Sequence, residues 1–557
     1  MTNPLSEAFD QLRQFANPNT IKSLRAANAV SVKAPLGFAK ALPWLLGRGP
    51  SLGVISQMNS VVVGSKTAIY DDRGTITWRE LDLTVNQAAH VLRAQGLRGS
   101  DRVATLLRNG REIAQVCLGA QRIGVIACPL NTWGKPKEVA ATLKQADAGV
   151  LVYDTRHAEQ LEKANLEGVA LLHVGDDENA LEGSQSLNRL ISDANDYAPT
   201  PFTRDRGSAK VVIHTSGTTG TPKGAARNAA STGIGALANL LEVVPYSRDD
   251  IVYCPAPLFH SFGLATFTFA TALGASMVLP DRFDPEQSLH DIERYHATAA
   301  SFVPVMIKRI VSLDDDVKAK YDLSSLRVVL ASGSAMSPEL RKAAMDLFGE
   351  VLYDLYGSTE IGWAAIAGPE AMKDHPKTVG KPVRGIEVAV FDPKGNELGP
   401  NETGELYIRS DILFEGYTSG EDTKEQRDGF MSIGDLGHLD EEGFLYIEGR
   451  ADDMVVIGGE NVYPIEVEEL IEGVPGVEEA AVLGVTDEEF GEVLAAFVVG
   501  DVTEDKILTA CKKDLASYKV PRRVEVLDEL PRTATGKILK RELVGALEGA
   551  APLDEGT

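Results

Sequence analysis

Residues 214–224 read His-Thr-Ser-Gly-Thr-Thr-Gly-Thr-Pro-Lys-Gly, directly after a short apolar run at 211–213. Gly217 and Gly220 let backbone N–H groups approach a ligand closely. Thr215, Ser216, Thr218 and Thr219 add hydroxyl donors and Lys223 adds a positive charge, so the stretch reads as a cradle for phosphate. It is not a Walker A loop, in which the lysine follows the second glycine and precedes Ser or Thr; here Lys223 precedes Gly224. A flexible Gly/Ser/Thr linker has the same composition. Context separates the two readings: a strand is expected to enter the loop and a helix over 225–244 to leave it, which is the setting in which α/β proteins bind phosphate.

The string 215–224 resembles the signature of the adenylate-forming superfamily, which comprises acyl-CoA synthetases, adenylation domains and luciferases. Further motifs stand in that family's order from about Thr75 to Lys537. The resemblance implies an ATP-dependent acid–thiol ligase that joins a small-molecule carboxylic acid to CoA through an acyl-adenylate. It also implies roles for particular residues. Gly333, Ser334 and Ala335, with Tyr356 and Gly357, would enclose adenine. Thr359 would bond the α-phosphate and Glu360 would hold Mg²⁺, a hard ion that takes carboxylate and phosphate oxygens. Asp435 would accept from both ribose hydroxyls and Arg450 would donate to the same sugar and to phosphate. Asp452 falls at the family's hinge, Gly458 and Gly459 at its pantetheine tunnel, and Lys537 is the lysine inserted for adenylation. Taken singly, each loop also reads as an ordinary strand-end turn and Lys537 as a solvated lysine.

His260, in Pro-Leu-Phe-His-Ser-Phe-Gly-Leu at 257–264, stands where a strand passes into an apolar helix. It reads either as a gate to the acyl pocket or as a satisfied core histidine. In the amino-acid-activating branch of the family this position holds an Asp that pairs with the substrate's ammonium. A buried ammonium needs such a partner, and His260 is not one, so the expected acid has no α-amino group. Phe259, Phe262, Phe267 and Phe269 fit either an apolar acyl slot or plain core packing. With them, a medium- or long-chain fatty acid is the expected substrate; an aryl or alicyclic acid, or an acyl-AMP ligase that loads a carrier protein, is the alternative.

The elements that must position these residues follow from periodicity. Strands are expected at 103–107, 125–129, 149–153, 251–254, 327–330 and 444–447, and helices at 113–123 and 139–144. Thr77 with Glu80 makes a capping box after two short strands around an Asp-Asp-Arg-Gly turn. The alternation implies a large layered α/β domain with mostly parallel sheets, and the last hundred residues a small mobile α/β domain. The expected division is an N-terminal extension at 1–60, an AMP-binding domain at 61–450 and a lid domain at 451–557.

With 557 residues and 44% hydrophobic content, the chain is long enough for more than one core. A net charge of -25 argues against nucleic acid as a partner. The four cysteines have no paired or metal-ligand spacing, and no signal-peptide pattern opens the chain, so a reducing, cytoplasmic location is expected. The apolar stretch at 36–46, broken by Lys40 and Pro43, is too short to span a bilayer. It reads as a cap on its own domain or, with the residues to 50, as a peripheral membrane contact. Oligomeric state is left open.

Overall fold

In a computed structural model the alternating pattern folds into layered α/β units. The structure describes residues 18–29, 36, 39–40, 43, 51–199, 210–216, 222–228, 234–358, 361–410, 425–451, 453–457, 460–487, 491–532, 538–540 and 542–543. A seven-stranded sheet runs in the order Gln185–Ser186, Ala170–Val174, Val150–Asp154, Arg102–Leu106, Ile126–Pro129, Lys210–Ser216, Pro222–Asn228. Every neighbouring pair in it is parallel except the last. A fourteen-stranded sheet holds a parallel series Thr67–Asp71, Ser276–Val278, Ile251–Tyr253, Ala299–Phe302, Val328–Ser332 and Leu352–Tyr356. Beyond Leu352–Tyr356 that sheet turns antiparallel, starting with Ala365–Ala367, Thr378–Pro382 and Leu445–Arg450. The expected mostly parallel character thus holds up to Tyr356 and gives way where strands are no longer joined through crossover helices.

Strand sequences are continuously apolar where helices cover both faces. Val328, Val329, Leu330 and Ala331 are fully buried, as are Val150, Leu151, Val152 and Tyr153. The helix Trp78–Ala94 starts at the Thr77–Glu80 capping box, with both reciprocal bonds formed.

The expected helix over 225–244 is corrected. Residues Pro222–Asn228 form a strand antiparallel to Lys210–Ser216, and the helix is Ile234–Val243. The strand satisfies the backbone groups of 225–228 by ladder pairing, and at the sheet edge the missing N–H of Pro222 costs little. The last pair of this ladder is Ser216 with Pro222, and the glycine-rich residues 217–221 between them lie outside the described residues.

After Arg450 come the hairpin Val455–Ile457 and Glu460–Val462, the helix Pro464–Glu472, and a three-stranded sheet of Val477–Asp487, Gly491–Gly500 and Arg523–Leu527. Among the described residues, no hydrophobic cluster mixes side chains from before and after Arg450. All four cysteines are unpaired and buried, and burial pushes the thiols of Cys117, Cys128 and Cys254 up to about 12. No described helix is long and apolar enough to cross a membrane. Of residues 36–50, only 36, 39, 40 and 43 are described; Lys40 bonds Ser60 at 3.0 Å and Asp82 at 3.2 Å.

Candidate active site

Four adjacent parallel strands, Ile251–Tyr253, Ala299–Phe302, Val328–Ser332 and Leu352–Tyr356, deliver their carboxyl ends to one edge of the large sheet, where ligands bind in such folds. The third runs into Gly333, Ser334 and Ala335, all exposed. Gly333 takes φ +109°, and a Cβ there would come 3.3 Å from Val303 Cγ1, so glycine alone suits this backbone beside the end of the neighbouring strand. Ser332 Oγ donates to the Leu355 carbonyl at 2.9 Å, tying this loop to the next strand end. At that end a Cβ on Gly357 would lie 2.0 Å from the Gly362 carbonyl oxygen, so Gly357 lets the chain double back.

Tyr356 ends the fourth strand, and its hydroxyl donates to Asp435 Oδ2. Burial and the Asp435 carboxylate hold that hydroxyl well above its ordinary pKa, so it stays protonated and donating. Asp435 stands directly across from Arg450 on the antiparallel strands Phe430–Leu439 and Leu445–Arg450, and Arg450 Nη1 donates to Asp435 Oδ1 at 3.3 Å. Residues 79 and 94 positions apart in sequence from Tyr356 are thus joined as one polar chain. A carboxylate has about four acceptor sites, so a sugar's hydroxyls can be added to these two bonds or exchanged for them.

His260 is the N-cap residue of the helix Ser261–Leu273. The approach to it is pinned by Asn109, whose Nδ2 donates to Ala256 O at 3.1 Å and whose Oδ1 accepts from Leu258 N at 2.9 Å. A Cβ on Gly263 would sit 2.2 Å from the Pro257 carbonyl, so glycine permits the helix to start against this turn. His260 Nε2 is sealed from solvent and finds no partner among the described residues. Burial pushes the ring's pKa down to about 4, with no charged neighbour among the described residues contributing, so the imidazole is neutral at pH 7. Phe259 lies 4.6 Å from the His260 ring and meets Trp133 edge-on at 5.7 Å. Phe267 and Phe269 are buried in the main core, and Phe269 packs edge-on against Trp363 at 5.4 Å.

The structure therefore brings Gly333, Ser334, Ala335, Tyr356 and Gly357 to neighbouring strand ends and joins Tyr356 to Asp435 and Arg450, while His260 follows Ile251–Tyr253, two strands over from Val328–Ser332 in the same sheet. Thr215, Ser216 and Lys223 are placed as the hairpin strands that flank the glycine-rich turn. Gly217, Thr218, Thr219, Gly220, Thr359, Glu360, Asp452, Gly458, Gly459 and Lys537 lie outside the described residues. Sequence reading missed Asn109, Val303 and the Tyr356–Asp435 bond. Asn109 left one weak signal, an asparagine followed by glycine just past a strand, where an amide can both donate and accept.

Two family models match the chain: AMP-binding enzyme over residues 59–418 and AMP-binding enzyme C-terminal domain over 466–537. The chain is 32% identical over 478 residues to long-chain-fatty-acid–CoA ligase FadD13 of Mycobacterium tuberculosis, covering 84% of this chain and 92% of that one. It is 32% identical over 485 residues to a feruloyl-CoA synthase of Amycolatopsis, covering 86% and 95%. Among solved structures, ATP-bound MatB from Rhodopseudomonas palustris superimposes with a TM-score of 0.77 at 29% identity, covering 87% of this chain and 96% of that one. The apo form of the same protein, at the same identity and coverage, superimposes with 0.68.

Proposed function

This chain belongs to the AMP-binding enzyme family and is an AMP-forming acid–thiol ligase, and from that premise we propose that it activates a medium- or long-chain fatty acid and passes it to CoA. The observation that carries the choice of acid is the surroundings of His260. Its ring is neutral, feels no charged neighbour among the described residues and stands against Phe259, so an α-ammonium brought there would be buried with no counter-charge from those residues. An alkyl chain meets no such penalty. FadD13, named as a long-chain-fatty-acid–CoA ligase, supports the same choice.

In the proposed reaction the acid's carboxylate attacks the α-phosphorus of ATP and pyrophosphate leaves. Gly333, Ser334 and Ala335 form one wall of the adenine site and Tyr356 the other, with Gly357 turning the chain away beneath it. Asp435 accepts from the ribose hydroxyls, held in place by Tyr356 and Arg450. The hairpin turn 215–224, through its backbone N–H groups, its hydroxyls and Lys223, takes the β- and γ-phosphates. Thr359 bonds the α-phosphate. Mg²⁺, when bound, neutralises charge on the transferring phosphates. It is commonly held by one or two carboxylates together with substrate phosphates, and Glu360 would supply such a carboxylate. The described residues hold no cluster of three or more His, Cys, Asp or Glu that would make an all-protein site.

Lys537 places a charge at the carboxylate and α-phosphate during this step. The unit at 451–557 then turns about Asp452 relative to 61–450, withdrawing Lys537 and bringing the Gly458–Gly459 face to the adenylate for thiol attack. Residues 1–60 serve as an extension packed on the larger unit.

An aryl acid is the second reading, for which Phe259 beside Trp133, edge-on at 5.7 Å, offers aromatic surface next to His260. Feruloyl-CoA synthase points the same way. A panel of acetate, octanoate, dodecanoate, benzoate and 4-hydroxycinnamate, assayed for pyrophosphate release with and without CoA, separates the two. Each buried CH₂ contributes about 0.8 kcal/mol, so rates at limiting acid should climb about fourfold per carbon until the slot is full. Preference for acetate, or for either aromatic acid over both fatty acids, overturns the fatty-acid reading. Leucine preferred over 4-methylpentanoate overturns the argument from His260.

A further inference from the structure

One charged side chain links the candidate nucleotide loop to the base of the Lys537 loop. The helix Pro304–Val311 begins immediately after Val303, the residue against which Gly333 is fitted. One turn into it, Lys308 reaches across the boundary at Arg450, its Nζ 3.9 Å from Glu479 Oε1. The other oxygen, Glu479 Oε2, accepts from Arg532 Nη2. Arg532 in turn bridges Ile538, and Leu539 N donates to the Pro531 carbonyl at 2.8 Å. These two bonds tie residues 531–532 to 538–539, the described residues on either side of Lys537. Glu472, at the end of the helix Pro464–Glu472, also feels Lys308, whose charge is the largest influence opposing the rise that burial imposes on its pKa. Lys308, Glu479 and Arg532 are all largely withdrawn from solvent. A second ion pair across the boundary among the described residues, Lys377 with Glu469 at 2.5 Å, has a well-exposed lysine.

We propose that Lys308 and Glu479 are a positioning pair for adenylation: docked, they hold the base of the Lys537 loop toward the nucleotide site, and they separate for the thioester step. The proposal rests on the reading in which the small unit turns between half-reactions. That the chain superimposes better on the ATP-bound than on the apo form of one relative, at equal coverage, supports assigning the docked arrangement to the adenylating orientation. The pair couples the two units through charge, so it can be broken and remade without uncovering apolar surface.

The test uses the intact chain and the fastest acid of the panel above, with each half-reaction measured separately: ATP–pyrophosphate exchange, and acyl-CoA formation from preformed acyl-adenylate. Lys308→Ala should lower the exchange rate about two- to fivefold, as loss of a partly exposed ion pair implies. Thioester formation should be unchanged or faster. Lys308→Arg should restore most of the exchange rate. Glu479→Gln should lose more than Lys308→Ala, since it weakens the hold on Arg532 as well. Equal effects of Lys308→Ala on both half-reactions, or no effect on either, would overturn the pairing. Lys537→Ala run in parallel tells the two ideas apart. If it separates the half-reactions while Lys308→Ala does not, only the positioning pair fails; if it damages both equally, the turning mechanism itself is wrong.

Discussion

The nucleotide-facing strand ends and the unit that follows Arg450 are held by different forces. At the strand ends, Val252, Ala299 and Val328 on three neighbouring strands belong to one buried cluster, and Gly333, Tyr356 and His260 inherit their positions from that packed backbone. Across the Arg450 boundary the hydrophobic clusters of the described residues stay apart, and ion pairs of Lys308 with Glu479 and of Lys377 with Glu469 cross it. Burial at about 0.8 kcal/mol per CH₂, summed over a core, cannot be undone in a catalytic cycle, whereas partly exposed ion pairs worth about 0 to 1 kcal/mol each can. Fixed recognition is built from apolar packing, and the part proposed to move is attached by charge.

The contrast breaks most sharply at Lys537. If that lysine works only in one orientation of the moving unit, Lys537→Ala should lower ATP-dependent adenylation on the order of 10²- to 10³-fold, as removal of a transition-state donor does. Acyl-CoA formation from preformed acyl-adenylate should stay near the wild-type rate. Gly459→Leu, placing a side chain in the proposed thiol path, should do the reverse. The two variants behaving alike would mean one static site and no division of labour between the regions.

A smaller effect is expected on the fixed side. Asp435→Ala removes a charged acceptor that Tyr356 and Arg450 hold in place. It should cost about 1.5 to 3 kcal/mol, roughly 10- to 150-fold in kcat/KM for ATP, with KM raised and kcat lowered. Because the site is built on packed strands, the thermal midpoint should shift little. Unchanged ATP kinetics would reduce Asp435 to a turn residue.

What could be read from the sequence follows the same division. Strands such as Val150–Asp154 and Val328–Ser332 were legible because burial on both faces demands unbroken apolar runs, and the capping box at Thr77 because its chemistry is local. The strand Pro222–Asn228 was not legible. Its Pro-Lys-Gly-Ala-Ala-Arg-Asn sequence has neither strand period nor β-branched residues, and only pairing with Lys210–Ser216 makes it a strand. Asp435 and Arg450 could each be picked out as chemistry-bearing, but their facing registry comes from a hairpin, and their link to Tyr356 from the neighbouring part of the sheet. Lys308 and Glu479 carry no local signal, since a helix lysine and a strand glutamate usually belong to a solvated face. Their meaning lies in a contact between residues 171 positions apart.

The last expected effect tests whether the charged boundary carries an electrostatic cost that the packed strands do not. Burial raises the Glu472 carboxyl to about 6 from its ordinary 4.5, with Lys308 opposing the rise and Glu468 and Glu479 adding to it. A carboxyl whose folded pKa is raised binds its proton more tightly folded than unfolded. Its stabilising contribution is therefore complete below about pH 4.5 and is lost as the pH climbs through about 6. The difference of about 1.5 units corresponds to about 2 kcal/mol, which the ionised form costs above pH 7. Glu472→Gln keeps the shape and removes the charge. Hydrogen exchange in the strand Val477–Asp487, beside that helix end, should then slow at pH 8 by up to about thirtyfold and remain unchanged at pH 4.5. Lys308→Ala should act in the opposite sense at pH 8, because among the described residues Lys308 is the largest influence easing the ionised carboxylate. Slowing by Glu472→Gln that is equal at both pH values would show that packing, and not charge, governs this boundary, and the distinction between the two regions would fail there.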